Sequence, residues 1–134
     1  MRKVLIPIDG SPRSEKSVDL FKILYKPGEV EVKLLMVRED HAYNTELTAY
    51  GMDPTKGLAG LHMQKIAEKI SEYNPEVSII FGHAGEDILK CARMDKTDLI
   101  IMTKSTKKGW IESIGSVTTA VVKYAPCMVL IVPE

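Results

Sequence analysis

The stretch that decides the fold is Asp98–Glu134, which reads DLIIMTKSTKKGWIESIGSVTTAVVKYAPCMVLIVPE. It begins with a short apolar run that predicts a buried strand and continues through a lysine-rich loop to a Gly-Ser turn. A helix and a second apolar strand follow. A strand that leads through a loop into the amino terminus of a helix is where α/β proteins bind phosphate, because unpaired N–H groups and the helix dipole favour an anion. The functional question is therefore whether this loop holds a nucleotide.

Strands and helices alternate along the rest of the chain. The apolar runs Lys3–Asp9, Val30–Val37 and Val77–Gly82 predict three further strands, and their nearly continuous apolar character is typical of strands buried on both faces. Segments of helical period separate the runs. This alternation predicts right-handed crossovers and a five-stranded parallel sheet covered by helices on both faces, which is an α/β three-layer sandwich. We expect one domain over residues 1–134, interrupted by a long aperiodic excursion at residues 38–60.

The composition argues against several classes of protein. Lys plus Arg and Asp plus Glu both number 18, so a net charge of zero gives no electrostatic basis for dedicated nucleic-acid binding. The apolar runs are too short to span a bilayer, and Met1 is followed by a strand pattern rather than a signal peptide. Cys91 and Cys127 lack metal-ligand spacing and are predicted to be reduced and buried. We therefore predict a cytoplasmic protein that binds neither nucleic acid nor membrane.

Three segments together resemble the universal stress protein (UspA-like) family. They are KVLIPIDGSPRS at residues 3–14, TDLIIM at residues 97–102 and GSVTTAVVKYAPCMVLIVP at residues 115–133, of which the last is the most specific. The resemblance covers the whole chain in the right order. It implies a flavodoxin- or Rossmann-like fold, similar to the adenine nucleotide alpha hydrolases, with strand order 3-2-1-4-5. It also implies a homodimer made by pairing of the last strands, Met128 to Val132 here.

Many members of this family bind ATP and others do not, and the resemblance places the nucleotide at defined positions. Asp9 falls where the ribose and adenine side is contacted, with Pro7 beside it, and Val37 falls where a backbone group reads the adenine edge. The phosphate end falls on the loop after the fourth strand and the following turn, here Met102, Thr103, Lys104, Thr106, Gly115, Ser116 and Val117. From the residues alone, Asp9 could equally cap a neighbouring backbone group, and the Gly-Ser turn is expected to cap the following helix with or without a ligand.

This chain departs from the glycine pattern of the nucleotide binders, which is Gly, two residues, Gly, nine residues, then Gly-Ser or Gly-Thr. Thr103 and Thr106 stand at the two glycine positions, and eight residues separate Thr106 from Gly115. A threonine forced into a glycine conformation would cost about 1–3 kcal/mol at each position. Lys104, Lys107 and Lys108 could instead neutralise phosphates, or form a solvated basic loop.

Three hypotheses follow. The first is a dimeric stress-response module that binds ATP, with Mg²⁺ as its counterion. The second is a dimeric scaffold of the same family whose altered loop serves a protein partner. The third is a small hydrolase or transferase, for which the chain offers neither a G-x-x-x-x-G-K-[ST] loop nor a second carboxylate to hold Mg²⁺. We expect a slow ATPase activity at most and no catalytic residues.

Overall fold

Five parallel strands form one sheet in the order β3-β2-β1-β4-β5. The computed structural model describes residues 1–39, 53–104 and 115–133. The strands are β1 Arg2–Pro7, β2 Val30–Arg38, β3 Glu76–Phe81, β4 Leu99–Thr103 and β5 Met128–Val132. The predicted sheet and its order 3-2-1-4-5 are therefore confirmed. Thr106, Lys107 and Lys108 lie outside the described residues.

Helices cover both faces of this sheet. They are α1 Glu15–Leu24, α2 Leu58–Lys69, α3 Ala84–Met94 and α4 Ser116–Tyr124. On one face, Phe21 of α1 and Ile66 of α2 are fully buried in a cluster that includes Ile6 of the central strand. On the other face, Ile88 of α3 and Val121 of α4 pack in a second cluster. The two clusters hold the helices against the two faces of the sheet, which gives the three-layer sandwich that the sequence predicted.

The central position of β1 explains where a cleft opens. The ladder between β1 and β2 ends at the pair Pro7 and Leu35, and the last bond runs from the Ile8 N–H to the Leu35 carbonyl at 2.8 Å. The chain leaves β2 for an outer strand on one side of β1, whereas β4 lies on its other side. Ligands of open α/β sheets bind at such a switch point, beyond the carboxyl ends of the strands.

The helices of the described ranges are short. None of them is long and apolar enough to cross a membrane.

Candidate functional site

A cleft of about 80 Å³ lies at the carboxyl end of β1 and β4, beneath the first turns of α3 and α4. Six of the residues predicted from the sequence line it, namely Pro7, Asp9, Val37, Met102, Thr103 and Val117. Sequence reasoning missed Ile8, Ser14, Leu35, Ala84 and Ile88, which also line it. Three other predicted residues do not line the cleft themselves but are chain neighbours of residues that do: Lys104 directly follows Thr103, and Gly115 and Ser116 directly precede Val117. The structure thus brings the two predicted ends of the site together.

Asp9 is held in a tight turn after β1. Its Oδ1 atom accepts hydrogen bonds from the Ser11 N–H at 2.8 Å and the Ser11 hydroxyl at 2.6 Å. Gly10 between them has a φ of +88°, a backbone conformation that glycine adopts without strain. Ser11 stands at the N-cap of the turn Pro12–Ser14, but its hydroxyl bonds Asp9 rather than the helix. The two hydrogen bonds from Ser11 hold Oδ1 of the Asp9 carboxylate, whereas its second oxygen, Oδ2, takes no part in this turn.

Val37 presents its backbone to the cleft. In β2 the Leu35 carbonyl accepts from β1, whereas the Arg38 carbonyl accepts from the Gly82 N–H beside β3 at 3.0 Å. Because backbone groups alternate in direction along a strand, the N–H and C=O of Val37 point to the same side as those of Leu35. The ladder with β1 has already ended there, so this donor and acceptor face the cleft side by side.

The two helices that begin at the cleft differ in charge. The Ala84 N–H at the start of α3 donates to Glu39 Oε1 at 2.7 Å, and the His83 N–H donates to Asp87 Oδ2 at 2.8 Å. Two carboxylates therefore already occupy that positive helix end.

At α4, Gly115 is the N-cap in an extended conformation, and as a glycine it brings no side chain of its own to cap the helix. The Thr119 N–H closes the first turn on the Gly115 carbonyl at 2.9 Å, and Ser116 is exposed. The N–H groups of a first helical turn have no intrahelical acceptor. An anion in the cleft is thus favoured at α4 rather than at α3.

Thr103 is the last residue of β4 and is 8% exposed. Among the described residues, Asn74 and Lys96 are the non-glycine positions with positive φ. The strain expected for a threonine at a glycine position therefore does not arise at Thr103, because the strand continues through it. The Lys104 N–H extends the pairing by donating to the Val132 carbonyl at 3.0 Å. Thr106 lies outside the described residues.

Metal and thiol chemistry find little support in the described part of the chain. Within the described ranges, no group of histidine, cysteine or acidic side chains could hold a metal ion. Cys91 and Cys127 are half-buried rather than fully buried as predicted, and burial raises the pKa of both thiols above its usual value. Both thiols are therefore protonated and weakly reactive at neutral pH.

Comparison with known proteins gives a family match and structural relatives. The sequence model of the Universal stress protein family matches residues 1–133. The structure resembles the hypothetical protein MJ0577 with 27% identity and a TM-score of 0.78, covering 99% of this chain and 96% of that one. A universal stress protein in complex with cAMP has 19% identity and a TM-score of 0.69, with coverage of 98% and 96%. A family protein from Arabidopsis thaliana with AMP bound has 17% identity and a TM-score of 0.67, with coverage of 100% and 92%. Curated protein sequences give no match.

Proposed function

Because this chain belongs to the universal stress protein family, we propose that it is a stress-response module that binds an adenine nucleotide in the cleft between β1 and β4. The observation that carries the proposal is the convergence of Asp9, the Val37 backbone and the start of α4 on one cleft. Structural relatives in complex with cAMP and with AMP bound support it. A single domain and a cytoplasmic location are part of the same proposal.

The base end of the proposed site discriminates adenine from guanine. The Val37 N–H donates to the ring nitrogen N1 of adenine, and the Val37 carbonyl accepts from the exocyclic amine. Guanine presents an N–H at N1 and a carbonyl at the neighbouring position, so both groups would face a group of the same kind. A reversed pair of hydrogen bonds costs about 1–3 kcal/mol, or roughly 5- to 150-fold in affinity.

The ribose and phosphate follow from the same orientation. Asp9 Oδ2 accepts a ribose hydroxyl while Oδ1 stays in its turn. The first phosphate lies at the start of α4, against the N–H groups of Ser116 and Val117. ATP is the cofactor expected from the sequence, with Mg²⁺ held by its own phosphates and with Lys104 as a nearby cation. Pro7 and Met102 line the cleft and pack against the nucleoside.

A scaffold that binds no nucleotide is the second candidate, and the size of the cleft favours it. Ligand pockets usually measure about 300–1,000 Å³, whereas this cleft measures about 80 Å³. The Lys104 N–H is also already bonded to Val132 and is not available to a phosphate. In this case the exposed surface would serve a protein partner.

Calorimetric titration distinguishes the two candidates. We expect saturable binding of AMP and of Mg-ATP, and weaker binding of GMP by at least about fivefold. Asp9→Ala removes the hydrogen bond to the ribose and should weaken AMP binding by about tenfold or more, as for a hydrogen bond to a charged group. Asp19→Ala is the matched control, since Asp19 is an exposed acid on α1 away from the cleft. If no adenine nucleotide gives a binding heat, nucleotide binding is excluded and the scaffold remains as the candidate function.

We also propose that two copies pair through β5. In this strand the Val132 carbonyl accepts from the Lys104 N–H, directly after β4, so the backbone groups of Val129 and Ile131 point away from β4. Antiparallel pairing about Leu130 would set Val129 of one protomer opposite Ile131 of its partner, and the reverse. Such self-complementary contact is what a twofold dimer requires. Pairing would also cover Met128, which is 59% exposed.

A further inference from the structure

We propose that nucleotide binding and self-association are coupled, because β4 borders the cleft at its end and pairs with the edge strand β5 along its whole length. This inference rests on the proposed function and adds its regulation. A ligand that tightens the dimer is itself bound more tightly by the dimer. Because each dimer would hold two ligands, thermodynamic linkage makes the change in the dimer dissociation constant the square of the change in ligand affinity.

The end of β4 supplies the first connection. Met102 and Thr103 line the cleft, and the same two residues pair with Ile131 and Val132 of β5. Beyond the last pair, the Lys104 N–H donates to the Val132 carbonyl at 3.0 Å. The backbone that borders a bound nucleotide is therefore the backbone that determines where β5 stops being paired. Ile131, one of the two β5 residues whose backbone groups point away from β4, lies within this terminal stretch.

Helix α4 supplies the second connection. It begins at Ser116, beside the position of the phosphate, and touches the cleft with Val117. At its other end Val122 and Tyr124 are 53% and 60% exposed, and the chain turns directly into β5. A phosphate at the start of the helix and a second protomer at its end would act on one nine-residue element.

The direction of the coupling follows from the position of the hydrogen bond between Lys104 and Val132. It is the terminal bond of the β4–β5 ladder, and ladder ends open more readily than ladder centres. A ligand that holds Thr103 near Ser116 keeps this bond closed and keeps β5 straight to Val132. Self-pairing of β5 orders the same residues. Each event reduces the conformational entropy that the other must lose, which gives positive coupling.

The test measures the dimer dissociation constant of the full chain by sedimentation equilibrium, with and without AMP at saturation. Coupling free energies between sites usually correspond to about 5- to 150-fold in affinity, so we expect AMP to tighten the dimer by at least about fivefold. The reciprocal measurement uses Val129→Pro, which removes an outward N–H of β5 at an edge position that tolerates proline. This monomeric variant should bind AMP more weakly than the dimer by the square root of that factor, which is at least about twofold. Val129→Thr keeps the N–H and the branched side chain and is the matched control.

Two results would overturn the coupling and leave nucleotide binding intact. One is an AMP-bound wild-type chain whose dimer constant does not change, or which remains monomeric throughout. The other is equal AMP affinity for the Val129→Pro and Val129→Thr chains. Failure of AMP to bind the wild-type chain in the calorimeter would instead remove the proposed function and the coupling with it. The wild-type measurement decides the matter alone if Val129→Pro does not fold.

Discussion

At the scale of single residues, Lys33, Asp95 and Cys91 form a charged cluster at the end of the sheet opposite the cleft. Lys33 Nζ lies 3.0 Å from Asp95 Oδ2 and 3.8 Å from Glu76, and the Cys91 thiol lies 3.4 Å from the same Asp95 oxygen. The hydrogen bond from Lys33 lowers the pKa of Asp95. Burial acts against the charged form of Lys33, but its interactions with Asp95 and the neighbouring acids outweigh burial and raise its pKa.

These pKa shifts predict how stability depends on pH. A lowered folded pKa means that Asp95 stabilises the protein above the unfolded pKa of aspartate, and that this contribution is lost as the pH falls through the folded pKa. The contribution of Lys33 is present below the unfolded pKa of lysine and is lost as the pH rises through its raised folded pKa. Asp95→Asn should therefore lower the free energy of unfolding at neutral pH by about 0.5–1 kcal/mol, the range of a partly exposed ion pair.

Denaturant titrations at neutral pH and at about pH 2, well below the ordinary aspartate pKa, test this prediction. The difference between wild type and Asp95→Asn should shrink at the acidic pH. Glu68→Gln on the exposed face of α2 serves as the control and should change little at either pH. A difference of the same size at both pH values would mean that Asp95 acts through packing rather than charge.

Patterns of single residues predict where a side chain lies better than they predict which group it binds. An acid at the end of the first apolar run placed Asp9 at the cleft, since strand ends and switch points are properties of the chain order. The same pattern left open whether Asp9 caps the chain or meets a ligand. In the structure, the N–H and the hydroxyl of Ser11 both donate to Asp9 Oδ1, so this oxygen serves the local turn. That choice depends on the three-dimensional path of the turn at Gly10, which the residue types alone do not specify.

At the scale of elements, the start of α3 depends on a contact between distant parts of the chain. The structure begins this helix at Ala84, two residues before the acids Glu86 and Asp87 that suit a positive helix end. Glu39, 45 residues away, bonds the Ala84 N–H and allows the earlier start. Apolar periodicity carries no information about such a cap, because it arises only once β2 and β3 are paired. The strands, by contrast, follow the apolar runs closely.

Gly82 is predicted to be essential for the second cap of α3. A Cβ at this position would overlap the Asp87 carboxylate that accepts from the His83 N–H. Gly82→Ala should therefore displace Asp87 and lower the free energy of unfolding by about 0.5–2 kcal/mol, the usual cost of a lost cap. Asp87→Ala should cost a similar amount by removing the same bond.

A double-mutant cycle in denaturant checks this mechanism. Because both substitutions remove one interaction, the double variant should be much less destabilised than the sum of the two single variants. Gly85→Ala is the control, since its Cβ would meet the Ala120 Cβ of α4 at 3.5 Å, an ordinary van der Waals contact between the two helices. It should be neutral or stabilising by up to about 1 kcal/mol. Simple additivity of Gly82→Ala and Asp87→Ala would refute the shared cap.

In the molecule as a whole, the cleft lies close to the open edge of the sheet at β5, because the single strand β4 borders both. The alternation of elements predicted the three layers, and the family resemblance supplied the strand order. Neither predicted that β4 continues through Thr103 and pairs Lys104 with Val132. The glycine pattern suggested strain at Thr103, since a pattern compares residue types at fixed positions. It does not register that the chain can keep a strand conformation in which threonine fits well.

The proposed pairing of β5 predicts a thermal stability that depends on protein concentration. If the folded state is a dimer, dilution favours the unfolded chain by mass action, whereas the stability of a folded monomer is independent of concentration. For a chain of this length, a rise in concentration of about tenfold should raise the Tm of the wild type by about 2–4 °C. Val129→Pro should show a lower Tm that does not change with concentration, and Val129→Thr should follow the wild type.

Scanning calorimetry over a concentration series measures all three chains. A wild-type Tm that does not change would mean that the outward N–H and C=O groups of Val129 and Ile131 are solvated rather than paired. The edge of the sheet would then need another means of avoiding aggregation.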